Sequence, residues 1–123
     1  MYKAVFAKYY EKYPFLDFLS SLDEEDRADI LAAIDKLIEL KNANIKLNSK
    51  LSKNLRNGVF ELRVNHLNKI SRSLYFYEKN KLIYFTNGFI KKTDKVPFSE
   101  IEKALKIMKY SKEVENENKL WRI

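Results

Sequence analysis

From Lys41 to Lys95 the chain carries 13 Lys and Arg against only Glu61, Glu78 and Asp94, and most of that stretch is patterned for β-structure. The cations therefore belong to strands and strand ends, not to a floppy tail. Phe60, Leu62 and Val64 alternate with Val59, Glu61 and Arg63. One side of that strand packs on a core while the other offers a carboxylate and a guanidinium. Residues 1–40 hold five bases and nine acids, and residues 96–123 hold six and five. A polyanion would dock on the middle of such a molecule.

The rest of the chain frames this stretch. Tyr2 to Ala7 mixes β-formers and reads as a first strand. After Pro14, Phe15 to Leu19 makes a short helical turn. Ser21 and Glu24 have the spacing of a capping box for a longer helix, whose apolar stripe is Ile30, Ile34, Leu37 and Ile38. Asp23, Glu24, Glu25 and Asp26 suit its positive end. Asn42 to Lys50 is a polar surface connection. Gly58 opens the basic strand, Asn65 to Lys69 is a hairpin loop, and Ile70 to Tyr77 is a further strand carrying Arg72. Glu78 to Asn80 turns the chain into Leu82 to Thr86, apolar enough for a central strand. Val96, Pro97 and Phe98 end the sheet. Ser99 and Glu102 then offer a second capping box before the stripe Ile101, Ala104, Leu105 and Met108. Beyond Tyr110 apolar residues thin out until Leu120 and Trp121, so a charged tail over 111–123 is expected to fray or dock onto a partner.

The order predicts an α+β fold: a small antiparallel sheet with N-terminal helices on one face and a C-terminal helix. Residues 1–110 form a single domain. With the helices grouped on one face, the other face of the sheet stays partly open for the cations.

Composition removes several function classes. The chain has no cysteine, hence no disulfide framework, thiolate zinc site or cysteine nucleophile, and it suits a reducing cytoplasm. No apolar run has signal-peptide or membrane-spanning length. His66, the only histidine, falls in a hairpin tip without an evident carboxylate neighbour, which argues against a Ser-His-Asp triad. The run Asp23 to Asp26 reads as a helix start and not as a metal site. No cofactor and no Walker-type loop are indicated.

Chemistry that positive charge alone can assist remains. RNA cleavage by the neighbouring 2′-hydroxyl needs the phosphorane charge neutralised, the hydroxyl proton removed and the leaving oxygen protonated. Arg and Lys serve the first need, and a Lys among other cations, as Lys91 and Lys92 are, can serve a proton. Glu61, on the face of Arg63, is either a base or the group that orients that Arg. A surface pair on an exposed sheet face is the plain alternative for both. Phe60, Phe76, Tyr84 and Phe85 read as core, while Phe89 and Tyr75 stay open between core and nucleotide stacking.

Lys53, Leu55, Gly58-Val59-Phe60-Glu61-Leu62-Arg63, then Arg72, Leu74 and Tyr75, then Gly88-Phe89, Lys91-Lys92-Thr93 and Pro97, with Ile101 and Ala104 in a helix, together resemble the HigB-like branch of the RelE toxin superfamily. The resemblance implies a RelE-like fold over residues 1–110 and a type II toxin that cleaves mRNA, usually on the ribosome. A cognate antitoxin with a helix-turn-helix domain would silence it, in a toxin–antitoxin hetero-oligomer or beside a toxin homodimer. It implies phosphate-binding and charge-stabilising roles for Arg63, Arg72, Lys91 and Lys92; Glu61 joins them as a catalytic candidate, and Lys53, Arg56, Phe89, Lys95 and Phe98 are candidate RNA contacts. Some relatives place a tyrosine or histidine near the start of the final helix, where this chain has Pro97 and Phe98. Two other readings stand beside it: a non-catalytic RNA- or ribosome-binding module, and a phage-derived protein-interaction factor.

Overall fold

The computed structural model describes residues 1–92 and 94–121, with side chains up to 114. Thr93 and residues 122–123 of the expected tail lie outside the described residues. The elements are β1 (Lys3–Phe6), α1 (Pro14–Ser20), α2 (Glu24–Asn42), β2 (Ser52–Arg56), β3 (Val59–Asn65), β4 (Ile70–Glu78), β5 (Leu82–Ile90) and α3 (Phe98–Trp121).

The five strands lie in the order β1-β5-β4-β3-β2. The sheet is antiparallel from β5 through β2, and β1 joins β5 in parallel, which makes it mixed. The fold class is α+β, as the order of patterns predicts. Strand β2 was not expected. It reads Ser-Lys-Asn-Leu-Arg, too polar to announce a strand, and it is an edge strand closed onto β3 by Asn57 and Gly58. Both have positive φ (50° and 85°), the signature of a tight two-residue hairpin turn. Between β4 and β5 the loop is one residue longer, Lys79 to Lys81, and Asn80 and Lys81 again have positive φ (65° and 59°).

Alternation along β3 sorts the two cores. Leu62 and Val64 join Phe15, Leu19, Ile30, Ile34, Leu37, Tyr75, Ile83 and Phe85 under α1 and α2. Val59 points the other way and meets Leu74 and Ala104, with Leu55, Phe89, Leu105 and Met108 around them. Helix α3 therefore covers part of the second face, and the helices are not grouped on one side. Its apolar stripe buries against the apolar residues of that face, Val59 and Leu74. Tyr75 is core: its hydroxyl pairs with that of Ser52, and burial pushes its ionisation far above the ordinary phenol value.

The caps differ from the predicted boxes. Asp23 is the N-cap of α2 without a side-chain bond. The Ser21 hydroxyl instead donates to the Phe18 carbonyl at 2.6 Å, closing α1. Helix α3 starts at Phe98 and continues past Tyr110 to Trp121, because the charged stretch there lacks both Gly and Pro. Among the described residues no helix is long and apolar enough to cross a membrane.

Candidate nucleic-acid interface

On the α3 side of the sheet, the register sets Arg63 opposite Arg72, and Arg72 opposite Phe89. Two adjacent guanidiniums would repel, and Glu61 resolves the conflict. Arg63 Nε donates to Glu61 Oε1 at 2.9 Å, and Arg72 Nη1 donates to Oε2 at 2.6 Å. Glu61 is fully buried and Arg72 is 3% exposed. A buried carboxylate held by two cations is sustained by this geometry, since removing either sign would leave an uncompensated charge. One positive charge remains, and Arg63, whose side chain is 33% exposed, presents it.

Arg72 is locked further from above. Its Nη2 donates to the Asp94 carbonyl at 3.3 Å, while its Nε is buried without a partner among the described residues. The Asp94 carboxylate meets Lys91 Nζ at 3.4 Å. Asp94 thus joins the buried arginine to a cleft of about 420 Å³ lined by Lys69, Ile70, Lys91, Lys92, Asp94 and the hairpin residues His66 to Asn68. Lys92 is exposed and Lys91 partly so.

The remaining expected contacts divide. Arg56 and Phe98 meet at the start of α3, the guanidinium carbon 5.3 Å from the ring centroid, and both face solvent. Lys53 is exposed and lies opposite Glu61 across the sheet. Lys95 is exposed beside the Asp94 turn. Phe89 is half-buried against Val59, Leu74 and Ala104, so its ring is partly a packing group. Asn87, which no motif singled out, fixes α3 over this face: its Nδ2 donates to the Glu100 carbonyl at 3.2 Å and to Glu100 Oε1 at 3.1 Å. Thr86 Oγ1 donates to Asn87 Oδ1 at 2.7 Å, setting the amide's orientation.

His66 is not the exposed loop residue its position predicts. Its side chain is fully buried, with Nδ1 at 3.0 Å from Asp29 Oδ2 and 3.3 Å from Asp26 Oδ1, and Nε2 at 2.8 Å from Ser71 Oγ. The connectivity is that of a Ser-His-Asp chain, but Ser71 has no exposed surface for a substrate to approach. Asp26, Asp29 and His66 also place donor atoms within 4.8 Å of one another. Lys69 Nζ already sits 2.7 Å from Asp26 Oδ2, and that bond raises the lysine's pKa. The group clamps α2 to the β3–β4 hairpin. The acids lie 37 and 40 positions before the histidine, so local spacing gave no warning.

Residues 17–109 match the family model described as phage-derived protein Gp49-like (DUF891). No curated protein matches the chain.

Proposed function

Because the chain belongs to the Gp49-like family of phage-derived proteins, a toxin-like family related to the RelE/HigB superfamily, we propose that it is the toxin of a type II toxin–antitoxin pair and cleaves mRNA on the ribosome. The HigB-like branch is the one it resembles. The observation that carries this reading is Arg63, held 33% exposed by the buried Glu61–Arg72 pair, with the Lys91 and Lys92 cleft following the end of β5.

In the proposed reaction the 2′-oxygen attacks the adjacent phosphorus as its proton passes to solvent, and the bond to the 5′-oxygen breaks as that oxygen takes up a proton from solvent, leaving a 2′,3′-cyclic phosphate and a 5′-hydroxyl. The charge that builds on the phosphorane oxygens needs donors fixed in advance. Arg63, Lys91 and Lys92 supply them. Glu61 has both oxygens engaged and no exposure, so it acts as a positioning residue that aims Arg63, and Arg72 fixes Glu61. Lys53, Arg56, Lys95 and Phe98 extend the surface that follows the strand. The partners are mRNA, the ribosome and an antitoxin with a helix-turn-helix domain, all met in the cytoplasm.

A second reading, RNA binding without cleavage, draws on a specific feature. Phe98 stands where some relatives have a tyrosine or histidine, and the one carboxylate among the arginines is sealed. Induced expression separates the two. A nuclease arrests growth and leaves transcripts cut within coding regions, and Arg63→Ala or the Lys91→Ala/Lys92→Ala pair restores growth while the protein stays folded. Arrested cells with intact messages would rule cleavage out.

A further inference from the structure

Away from the arginines, three tyrosines meet where the segment after β1 touches α3. Tyr9 and Tyr10 lie 4.8 Å apart by ring centroid, Tyr10 and Tyr110 4.7 Å, and Tyr9 and Tyr110 5.5 Å. With Lys106, Lys109 and Glu113 they line a cleft of about 180 Å³. The α3 members 106, 109, 110 and 113 share one face by helical spacing. Tyr110 lies 12 residues beyond Phe98, about 18 Å along the helix axis, so this cleft is a contact separate from the Arg56–Phe98 pair.

Tyr10 is the unusual member. Tyr9 and Lys12 exchange backbone hydrogen bonds of 2.8 and 3.1 Å, closing a two-residue turn of Tyr10 and Glu11. Tyr10 has φ of +55° and Glu11 does not share the positive sign, so Tyr10 fills the turn position that ordinarily takes glycine. A bulky residue there is strained, and strain of this kind gathers at functional sites. The ring is not hidden in return: Tyr10 is 62% exposed. A tyrosine that served only to staple the turn to α3 would be buried, and glycine would make the turn without strain.

We infer that the Tyr9, Tyr10 and Tyr110 rings with Lys106 and Lys109 form a second subsite for single-stranded RNA, stacking one base on the rings and holding a neighbouring phosphate with the lysines. An open aromatic face next to exposed ammonium groups is the arrangement that binds single strands without sequence preference. Lys8 and Lys12, exposed on either side of Tyr9 and Tyr10 in the chain, add to the positive balance over Glu11 and Glu113. This inference rests on the RNA reading above.

Tyr10→Gly is the informative variant, since the backbone strain it relieves offsets the ring contacts it removes and the fold should keep its melting temperature. Binding to a ten-nucleotide single-stranded RNA carrying 2-aminopurine is followed by anisotropy and by quenching of the stacked base. The wild type should bind with quenching. Tyr10→Gly and Tyr110→Leu should each weaken binding at least about fivefold and abolish the quenching, and Arg63→Ala should leave the quenching in place. Equal binding and quenching in the wild type and the tyrosine variants overturns the subsite alone. No binding of RNA by the wild type overturns the RNA reading and the subsite with it. Loss of antitoxin binding in Tyr10→Gly with RNA binding unchanged assigns the patch to a protein and overturns the subsite as well.

Discussion

Glu61 shows how far a single residue can be read before its surroundings are known. Alternation along β3 places it beside Arg63 on one face, as the structure has it, but exposure was the default for an acid there. Its burial goes with Arg72 on the neighbouring strand, whose Nη1 donates to Glu61 Oε2, and with α3 over the same face. Glu61→Ala would leave Arg72 buried without its carboxylate, and denaturant unfolding should show a loss of about 3–5 kcal/mol. A loss near zero would mean that Arg72 reaches water. The two glycines make a sharper pair. Gly58 has φ of +85° with open space around it, so Gly58→Ala should cost only the left-handed penalty of about 1–2 kcal/mol. At Gly88 a Cβ would fall 2.4 Å from Phe18 Cδ2. Gly88→Ala must displace the Phe18 ring from its place against the sheet, and thermal melts should rank it well below Gly58→Ala. His66 marks the limit of legibility at this scale, since nothing near it in the chain points to Asp26 and Asp29.

At the scale of elements, periodicity was a good guide wherever one face is apolar. Helix α2, with Ile30, Ile34 and Leu37 buried, and strand β3 lie where their patterns place them. Edge and surface elements were harder. Strand β2 has Leu55 as its only apolar residue and buries Ser52 instead, so its pattern is silent while the Asn57-Gly58 turn was its true signal. The continuation of α3 past Tyr110 was missed for a related reason: burial had ended, but helix-forming residues had not. The β4–β5 turn carries a prediction of its own. Lys81 holds φ of 59° where glycine is free of strain. Lys81→Gly should raise stability by about 0.5–1 kcal/mol in a denaturant titration, less whatever its ammonium contributes over the Tyr2 ring. A marked fall would show that this contact outweighs the backbone term.

Over the whole molecule, the charge segregation visible in the sequence acquires a shape. The acids of residues 23–29 are largely on α2, partly spent on Lys69 and His66, while Arg63, Lys91 and Lys92 belong to the sheet and its β5 end. That separation was legible from composition. The pairing of Arg72 with Glu61 was not, and it shifts the proposed phosphate-facing role toward Arg63 and the two lysines. The most direct test is the salt dependence of single-stranded RNA affinity for the wild type and for the Lys91→Ala/Lys92→Ala protein. Each phosphate contact contributes about 0.7 to the slope of log K against log salt for single strands. Loss of two contacts should flatten the slope by about 1.4 while the variant keeps the wild-type melting temperature. An unchanged slope would mean that RNA does not lie on this face.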